Sequence, residues 1–228
     1  MKIGIIGSGN IGSALAKHLR KIGHEVVIAN SRGPSTLAQI AIESGAIAVT
    51  VEQAAHAADI VIITVPMTAV SQLPKAILSA STAIIIDTCN YYPSRDGKIA
   101  EIDSGMAESE WVSQIIGHKV VKAFNNIIAS SLISKGLPSG SNNRIAISVA
   151  GDNSQERESV MKLINAIGFD AVDAGTLAES WRQQPGTPAY CQDLNVNTLK
   201  STLQNVHPTK IVEYRALADE AARPYFKK

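Results

Sequence analysis

An α/β fold built on a doubly wound, mostly parallel sheet is predicted by three observations. Short β-branched runs alternate with amphipathic segments as far as residue 175. The first run, Ile3-Gly4-Ile5-Ile6, enters a glycine-rich turn, Gly7-Ser8-Gly9-Asn10-Ile11-Gly12, that opens a helix. The runs within Asp59–Pro66 and Thr82–Asp87 are almost wholly apolar, the pattern of strands covered on both faces. Strand, glycine turn, helix and strand in this order and length form the unit of a Rossmann-type sheet.

The elements follow in order. A helix over Ser13–Lys21 places Ile11, Leu15 and Leu19 on one face, and Gly23 closes it. Glu25–Ala29 is the second strand. Ser35 is expected to cap a helix through Ser44, with a brief strand over Ala46–Val49. Thr50 caps a helix over Val51–Ala58, and Asp59–Pro66 is the fourth strand. A helix then runs to about Leu78, and Thr82–Asp87 is the fifth strand. Thr88–Met106 reads as loop. A helix over Ser109–Ile116 leads to a strand over Lys119–Asn125, and a helix over Ala129–Ser134 follows. Strand Arg144–Ala150, helix Ser154–Ile167 and strand Phe169–Asp173 complete the alternation. The reading divides the chain into a nucleotide-binding domain, residues 1–175, and a small C-terminal extension, residues 176–228. That extension holds the irregular stretch Trp181–Pro188 and a polar helical tail. It is expected to pack on the same domain or on the partner of a homodimer.

Composition narrows the function classes. At 228 residues and 45% hydrophobic, the chain suffices for a sizeable core. A net charge of +1 makes no electrostatic case for nucleic acid or an anionic membrane. No apolar run approaches the ~20 residues of a bilayer span. Ser8, Asn10 and the glycines interrupt the N-terminal run, so a secretory signal is not expected. Two cysteines, Cys89 and Cys191, and five scattered histidines suggest neither a disulfide framework nor a metal site. The expectation is a cytoplasmic protein.

In an open parallel sheet, ligands sit beyond the carboxyl ends of the strands. Gly7 allows the turn, Gly9 lets a pyrophosphate approach the backbone, and Gly12 lets the helix lie close to the sheet. The helix opening at Asn10 and Ile11 presents free N–H groups to phosphate, beside Ser8. NAD-preferring proteins place a carboxylate at the end of the second strand, whereas this chain has Asn30-Ser31-Arg32. A guanidinium and a hydroxyl suit a 2′-phosphate, so NADP(H) is the expected cofactor. Thr64, Val65 and Pro66 border the nicotinamide ribose through backbone groups. Asp87 is either a loop anchor or a ligand contact. Asn90 and Asn125 either hold a carboxamide or planar acceptor, or satisfy the turn backbone.

No His, Lys or Tyr in these loops stands out as a proton donor beside the hydride path. That suggests an acceptor that takes hydride without a dedicated acid, such as a flavin or deazaflavin ring. Reduction of a small imine or ketone would instead require an acid in Tyr91 or Tyr92. The alternative from another class is a non-catalytic NADPH-binding redox sensor. No catalytic side chain is assigned.

Gly-Ser-Gly-Asn-Ile-Gly, Ala-Asn-Ser-Arg-Gly-Pro, the Val-Pro after the fourth strand, Lys-Ala-Phe-Asn and Trp-Arg-Gln-Gln-Pro-Gly-Thr-Pro resemble the NADP-dependent oxidoreductases that use coenzyme F-420. The cytosolic domains of the STEAP metalloreductases, which pass hydride from NADPH to FAD, share that fold. The resemblance spans nearly the full chain. It implies that Ser31 and Arg32 hold the 2′-phosphate, that Ala123 lies along the nicotinamide side, and that hydride passes between the nicotinamide and F-420, FMN, FAD or a small organic acceptor. Trp181 and Tyr190 are candidates for the acceptor wall, or for core and dimer packing.

Overall fold

The computed structural model describes residues 1–56 and 59–226. Strands β1 (Lys2–Ile6), β2 (Glu25–Ala29), β3 (Ile47–Ala48), β4 (Ile60–Ile63), β5 (Ile84–Asp87) and β6 (Val121–Lys122) form one parallel sheet in the order β3-β2-β1-β4-β5-β6. That order is the doubly wound one, with the crossover reversing between β1 and β4. Ile3 lies beside Val26 on one flank and Ile60 on the other, and the unbroken burial of Ile3–Ile6 and Ile60–Ile63 shows both central strands covered on both faces.

Helices α1 (Asn10–Lys21), α2 (Ala38–Ser44), α3 (Val51–His56), α4 (Met67–Val70), α5 (Lys75–Ser79), α6 (Pro93–Asp96), α7 (Ala100–Asp103) and α8 (Glu108–Ile116) connect or flank these strands. Two cores result, one on each face of the sheet. Leu15, Leu19, Ile28 and Ile62 belong to the first, and Ile63, Leu78, Ile85 and Val112 to the second. Beyond β6 come α9 (Ala129–Ser134), β7 (Ala146–Val149), α10 (Ser154–Ala166) and β8 (Asp170–Asp173). β7 and β8 pair in parallel as a separate two-stranded ribbon. Among the described residues its backbone pairing with the main sheet is an antiparallel bridge between Lys122 and Ala150, and Ile147 and Val149 share the first core with that sheet.

Several boundaries differ from the sequence expectation, for identifiable reasons. α1 begins three residues early because Gly9 is its N-cap, so Asn10, Ile11 and Gly12 form its first turn. Ser35 does not cap a helix. Pro34–Leu37 forms a 3-10 turn whose preceding residue is Gly33, at φ 89°. Thr50 does cap α3: its Oγ1 accepts from Gln53 N–H, and Gln53 Oε1 accepts from Thr50 N–H. The expected end of that helix, Ala57 and Ala58, lies outside the described residues. Pro74 splits the helix expected after Pro66 into α4 and α5. The long loop contains single-turn α6 and α7. β6 stops at Lys122 because Phe124 takes φ 62°, a left-handed conformation that ends the extended backbone.

Residues past 175 form a 3-10 segment (Leu177–Gln183), α11 (Val196–Gln204), a 3-10 turn (Pro208–Lys210) and α12 (Ile211–Phe226). They are bonded to the rest of the chain. Asp219 Oδ1 accepts from the Ser94 backbone N–H and hydroxyl, each at 2.8 Å. Arg215 donates to Asp103, and Cys191 N–H donates to the Asn126 carbonyl. Among the described residues no helix is long and apolar enough to cross a membrane.

Candidate functional site

The glycine turn folds as it does because two close approaches leave no room for side chains. A Cβ on Gly7 would collide with the Thr64 carbonyl, and one on Gly12 with the Gly7 carbonyl. Gly7 also sits at φ 116°. Thr64 Oγ1 donates to the Gly7 carbonyl, tying the turn to the end of β4. At Gly9, by contrast, a Cβ would meet nothing within 4 Å. Its backbone is open to whatever lies over the N-terminus of α1, as phosphate requires.

A cleft of about 460 Å³ opens from this turn. Gly7, Ser8 and Gly9 line one side, and Thr64, Val65 and Pro66 another. Asn30, Ser31 and Arg32 line the far end. Nine of the predicted residues therefore share one cleft. Asn10 is exposed at the mouth of α1, while Ile11 packs against the first core. Six further cleft residues were not anticipated: Ile6, Val51, Glu52, Ala69, Gln72 and Leu73. In the sequence Glu52 reads as an ordinary first-turn helix acid. Its own backbone N–H and Thr50 hold its carboxyl below the usual range, so it stands ionised in the cleft.

Asn30 shapes the far end. Its Oδ1 accepts from Arg32 N–H at 3.0 Å, an Asx turn that leaves Ser31 and Arg32 exposed. Its Nδ2 donates to Ser8 Oγ at 3.2 Å and to Thr36 Oγ1 at 3.0 Å. The Asn30 amide thus fastens the β2 turn to the glycine turn, and the guanidinium is left free to meet an anion.

The carboxyl ends of β5 and β6 are built otherwise. Asp87 and Lys122 are fully buried and paired at 3.1 Å. Asp87 anchors its loop: Cys89 N–H donates to Oδ1 at 2.8 Å, and Ser109 Oγ to Oδ2 at 2.6 Å. Lys122 Nζ also donates to the Cys89 carbonyl. Asn90 and Asn125 bond to each other twice, Asn90 Nδ2 to the Asn125 carbonyl and Asn125 Nδ2 to Asn90 Oδ1. Asn125 also exchanges bonds with Gln183, at 2.7 Å to its carbonyl and 2.9 Å from its Nε2. Their amides serve the loops, with Asn90 half-buried and Asn125 buried. Ala123 is fully buried, and its N–H donates to the Asp87 carbonyl.

Of the two tyrosines, Tyr91 is buried and its hydroxyl is engaged by Gly97 and Ile99. Tyr92 is half-buried, its hydroxyl 2.6 Å from that of Tyr190. Burial raises both the Tyr92 and Tyr190 pKa values above the ordinary phenol. Trp181 is half-buried under the Arg182 guanidinium, 5.0 Å from its ring centre. Among the described residues, no group of three or more His, Cys, Asp or Glu is placed to hold a metal ion.

Residues 2–91, which span the glycine turn, the Asn-Ser-Arg turn and the end of β5, match the family of coenzyme F420-dependent NADP oxidoreductases. A hypothetical protein of Sinorhizobium meliloti, SMa0349, is 33% identical and superposes with a TM-score of 0.73, over 86% of this chain and 96% of that one. The chain belongs to the F420-dependent NADP oxidoreductase family. A protein of Arthrobacter sp. fb24, proposed to be an F420-dependent NADP reductase, has the same fold at 21% identity and TM-score 0.65, each chain covered to 96%. The metalloreductase STEAP3 of Rattus norvegicus is 28% identical over 187 residues, 78% of this chain and 35% of that one. This chain spans between 35% and 46% of the length of the curated relatives it matches. The glycine turn and the Asn30–Arg32 turn both lie within the matched residues.

Proposed function

We propose that the protein is an NADPH-dependent reductase that passes hydride from the nicotinamide to a flavin-like ring (F-420, FMN or FAD) or a small organic acceptor. The observation that carries the reading is the cleft itself. An open Gly9 backbone over a helix N-terminus lies at one side, and an exposed Ser31–Arg32 pair stands where an NAD-binding carboxylate is missing. The glycine turn would hold the pyrophosphate, Ser31 and Arg32 the 2′-phosphate, and Thr64, Val65 and Pro66 the nicotinamide ribose. Asn90 and Ala123 would border the ring on the acceptor side. Bound NADPH supplies the hydride.

The use of the acidic and basic groups supports a flavin-like acceptor. Asp87, Lys122 and Tyr91 are committed to holding loops, so the chain's contribution is to orient two rings and exclude water. The test is steady NADPH oxidation in the presence of F-420, FMN and FAD in turn. Turnover with at least one is expected. Tight NADPH binding without turnover of any acceptor would favour the sensor reading instead.

A second reading is favoured by the Tyr92–Tyr190 hydroxyl pair, which offers a proton donor at the ends of β5 and β6. It would suit a small imine or ketone, with hydride to carbon and the phenolic proton to nitrogen or oxygen. The protein would act as a soluble enzyme or a homodimer, its partner a small-molecule hydride acceptor.

A further inference from the structure

Glu108 is a carboxyl that does not line the nucleotide cleft, and it is 1% exposed. It sits in the first turn of α8, yet it does not cap that helix. Glu110 does so, accepting from Ala107 N–H at 3.2 Å. Glu108 points the other way: its Oε2 accepts from Tyr91 N–H at 3.1 Å, and its Oε1 is buried with no hydrogen-bond partner among the described residues. Beside it lie Asp87, Ser109 and Lys122, each with no solvent exposure.

The charge count of this cluster decides the state of Glu108. Lys122 carries one positive charge, and Asp87 neutralises it at 3.1 Å. An ionised Glu108 would add a negative charge without a counter-ion, in a space water does not reach. Arg215 on α12 is the next cation, and it is bonded to Asp103 and the Ile102 carbonyl. Of the other elements against α8, α4 brings no ionisable side chain and α5 brings the exposed Lys75. α7 brings the exposed Glu101 and Asp103, and the 3-10 segment brings the Glu179–Arg182 couple, which is paired within itself. None supplies the missing countercharge.

We propose that Glu108 is a positioning residue carried as the neutral carboxylic acid, whose Oε2 accepts from Tyr91 N–H and so holds the loop Thr88–Tyr92 in place along the acceptor side of the cleft. This rests on the reading of that edge as the hydride-acceptor side, and adds to it a means of regulation. Two buried groups grip the loop in succession, Lys122 at the Cys89 carbonyl and Glu108 at the Tyr91 N–H. Loss of the Glu108 proton leaves the buried charge unbalanced. The relief is to admit water, and the groups that must part to admit it are those in the loop. Burial pushes the Glu108 carboxyl from 4.5 up to about 7, with Lys122 pulling the other way, which puts the change near neutrality. The sign follows: the folded protein retains a proton the unfolded chain has released, so stability falls as pH rises from about 4.5 to about 7 and levels beyond.

Hydrogen exchange of the segment Asp87–Tyr92 tests this in nucleotide-free protein, corrected for the intrinsic pH dependence of exchange. Between roughly pH 6 and roughly pH 8, the wild type is expected to lose protection about tenfold or more. Glu108→Gln keeps a carbonyl for Tyr91 N–H but cannot ionise, and is expected to hold its protection across the same range. Equal loss in both proteins, or no loss in the wild type, overturns the proposal. Should the variant not fold, titration of the assigned Glu108 carboxyl carbon in the wild type decides: a midpoint near 7 supports the proposal, and one at the ordinary 4.5 overturns it. NADPH affinity is measured on the same samples. Absence of NADPH binding at every pH would remove the reductase reading while leaving the exchange result to stand for the loop.

Discussion

At the carboxyl ends of β1 and β2, the polar groups come from a single stretch, Gly7–Arg32, and its tip at Ser31 and Arg32 is exposed. At the ends of β5 and β6 they are buried, and they are drawn from separated segments: Asp87, Glu108 and Ser109, Lys122 and Asn125, and Gln183. The first edge is held by backbone close approaches, the Asx turn at Asn30, and a few side-chain bonds from Asn30 and Thr64. The second is held by side chains that satisfy one another. Water reaches the exposed tip at Ser31 and Arg32, so those groups are free for a ligand and contribute little to folding. At the acceptor edge the reverse holds: each charge depends on its neighbour, and stability and site geometry are the same property there.

That contrast is tested most severely at Lys122. Lys122→Met strands the fully buried Asp87 carboxylate with only Ser109 Oγ and Cys89 N–H for company. A loss of about 3–5 kcal/mol is expected in urea unfolding, the usual cost of breaking a buried pair. Asp87→Asn in the same chain should recover part of it. A loss below about 1 kcal/mol would mean that the acceptor edge tolerates solvent as the nucleotide edge does.

Arg32→Ala is the matching experiment at the other end. Arg32 is exposed and makes no ion pair with the described residues, so unfolding free energy should stay within about 0.5 kcal/mol. NADPH affinity should fall roughly 10- to 100-fold, the worth of a charge-assisted contact, with NADH affinity unchanged. Titration of both nucleotides by fluorescence reads this. Equal loss for NADH would mean that Arg32 stacks on adenine and does not select the phosphate.

The two edges also differ in how far the sequence reveals them. The glycine turn, its helix and the Asn30–Arg32 turn are local, and local patterns specify them: a glycine is recognisable because a Cβ has nowhere to go. The parallel, doubly wound sheet follows from the repeated strand–helix unit with right-handed crossovers, whereas its strand order comes from the structure. The acceptor edge depends on pairs such as Asn125 with Gln183 and Tyr92 with Tyr190, far apart in the chain and without periodicity. A hint existed in charged residues within apolar strands, Asp87 ending Ile-Ile-Ile and Lys122 inside Val-Val-Lys-Ala, since burying either demands a partner. Glu108 was hidden because first-turn glutamates usually serve the helix dipole, as Glu110 does here. The truncation of β6 was equally unreadable, because nothing in Lys-Ala-Phe-Asn announces a left-handed phenylalanine.

Asn30→Asp sharpens the nucleotide side further with a nearly isosteric change. The Asx turn to Arg32 N–H survives, but the Nδ2 donations to Ser8 and Thr36 are lost and a negative charge appears beside the phosphate position. NADPH affinity should drop about tenfold and NADH affinity rise by a smaller factor, as like charges disfavour one ligand and ribose hydroxyls accept the other. An unchanged preference would place the 2′-phosphate away from this turn.

A modest effect on folding is expected at Tyr92, and the variant there separates the two acceptor classes. Tyr92→Phe keeps the ring against Arg95, whose guanidinium carbon lies 5.2 Å from the ring centre, and removes only the hydroxyl shared with Tyr190. The stability cost should be about 1 kcal/mol, one neutral hydrogen bond with a phenol left behind. If hydride goes to a flavin-like ring, turnover should be unchanged within about twofold, because that reaction needs orientation and draws its proton from water. If a small imine or ketone is the substrate, the phenol is the proton source, and kcat should fall on the order of 100-fold while KM moves little. Tyr190→Phe distinguishes donor from relay: a loss matching Tyr92→Phe would make the hydroxyl pair the acidic unit, and a smaller loss would leave Tyr92 as the group facing the substrate.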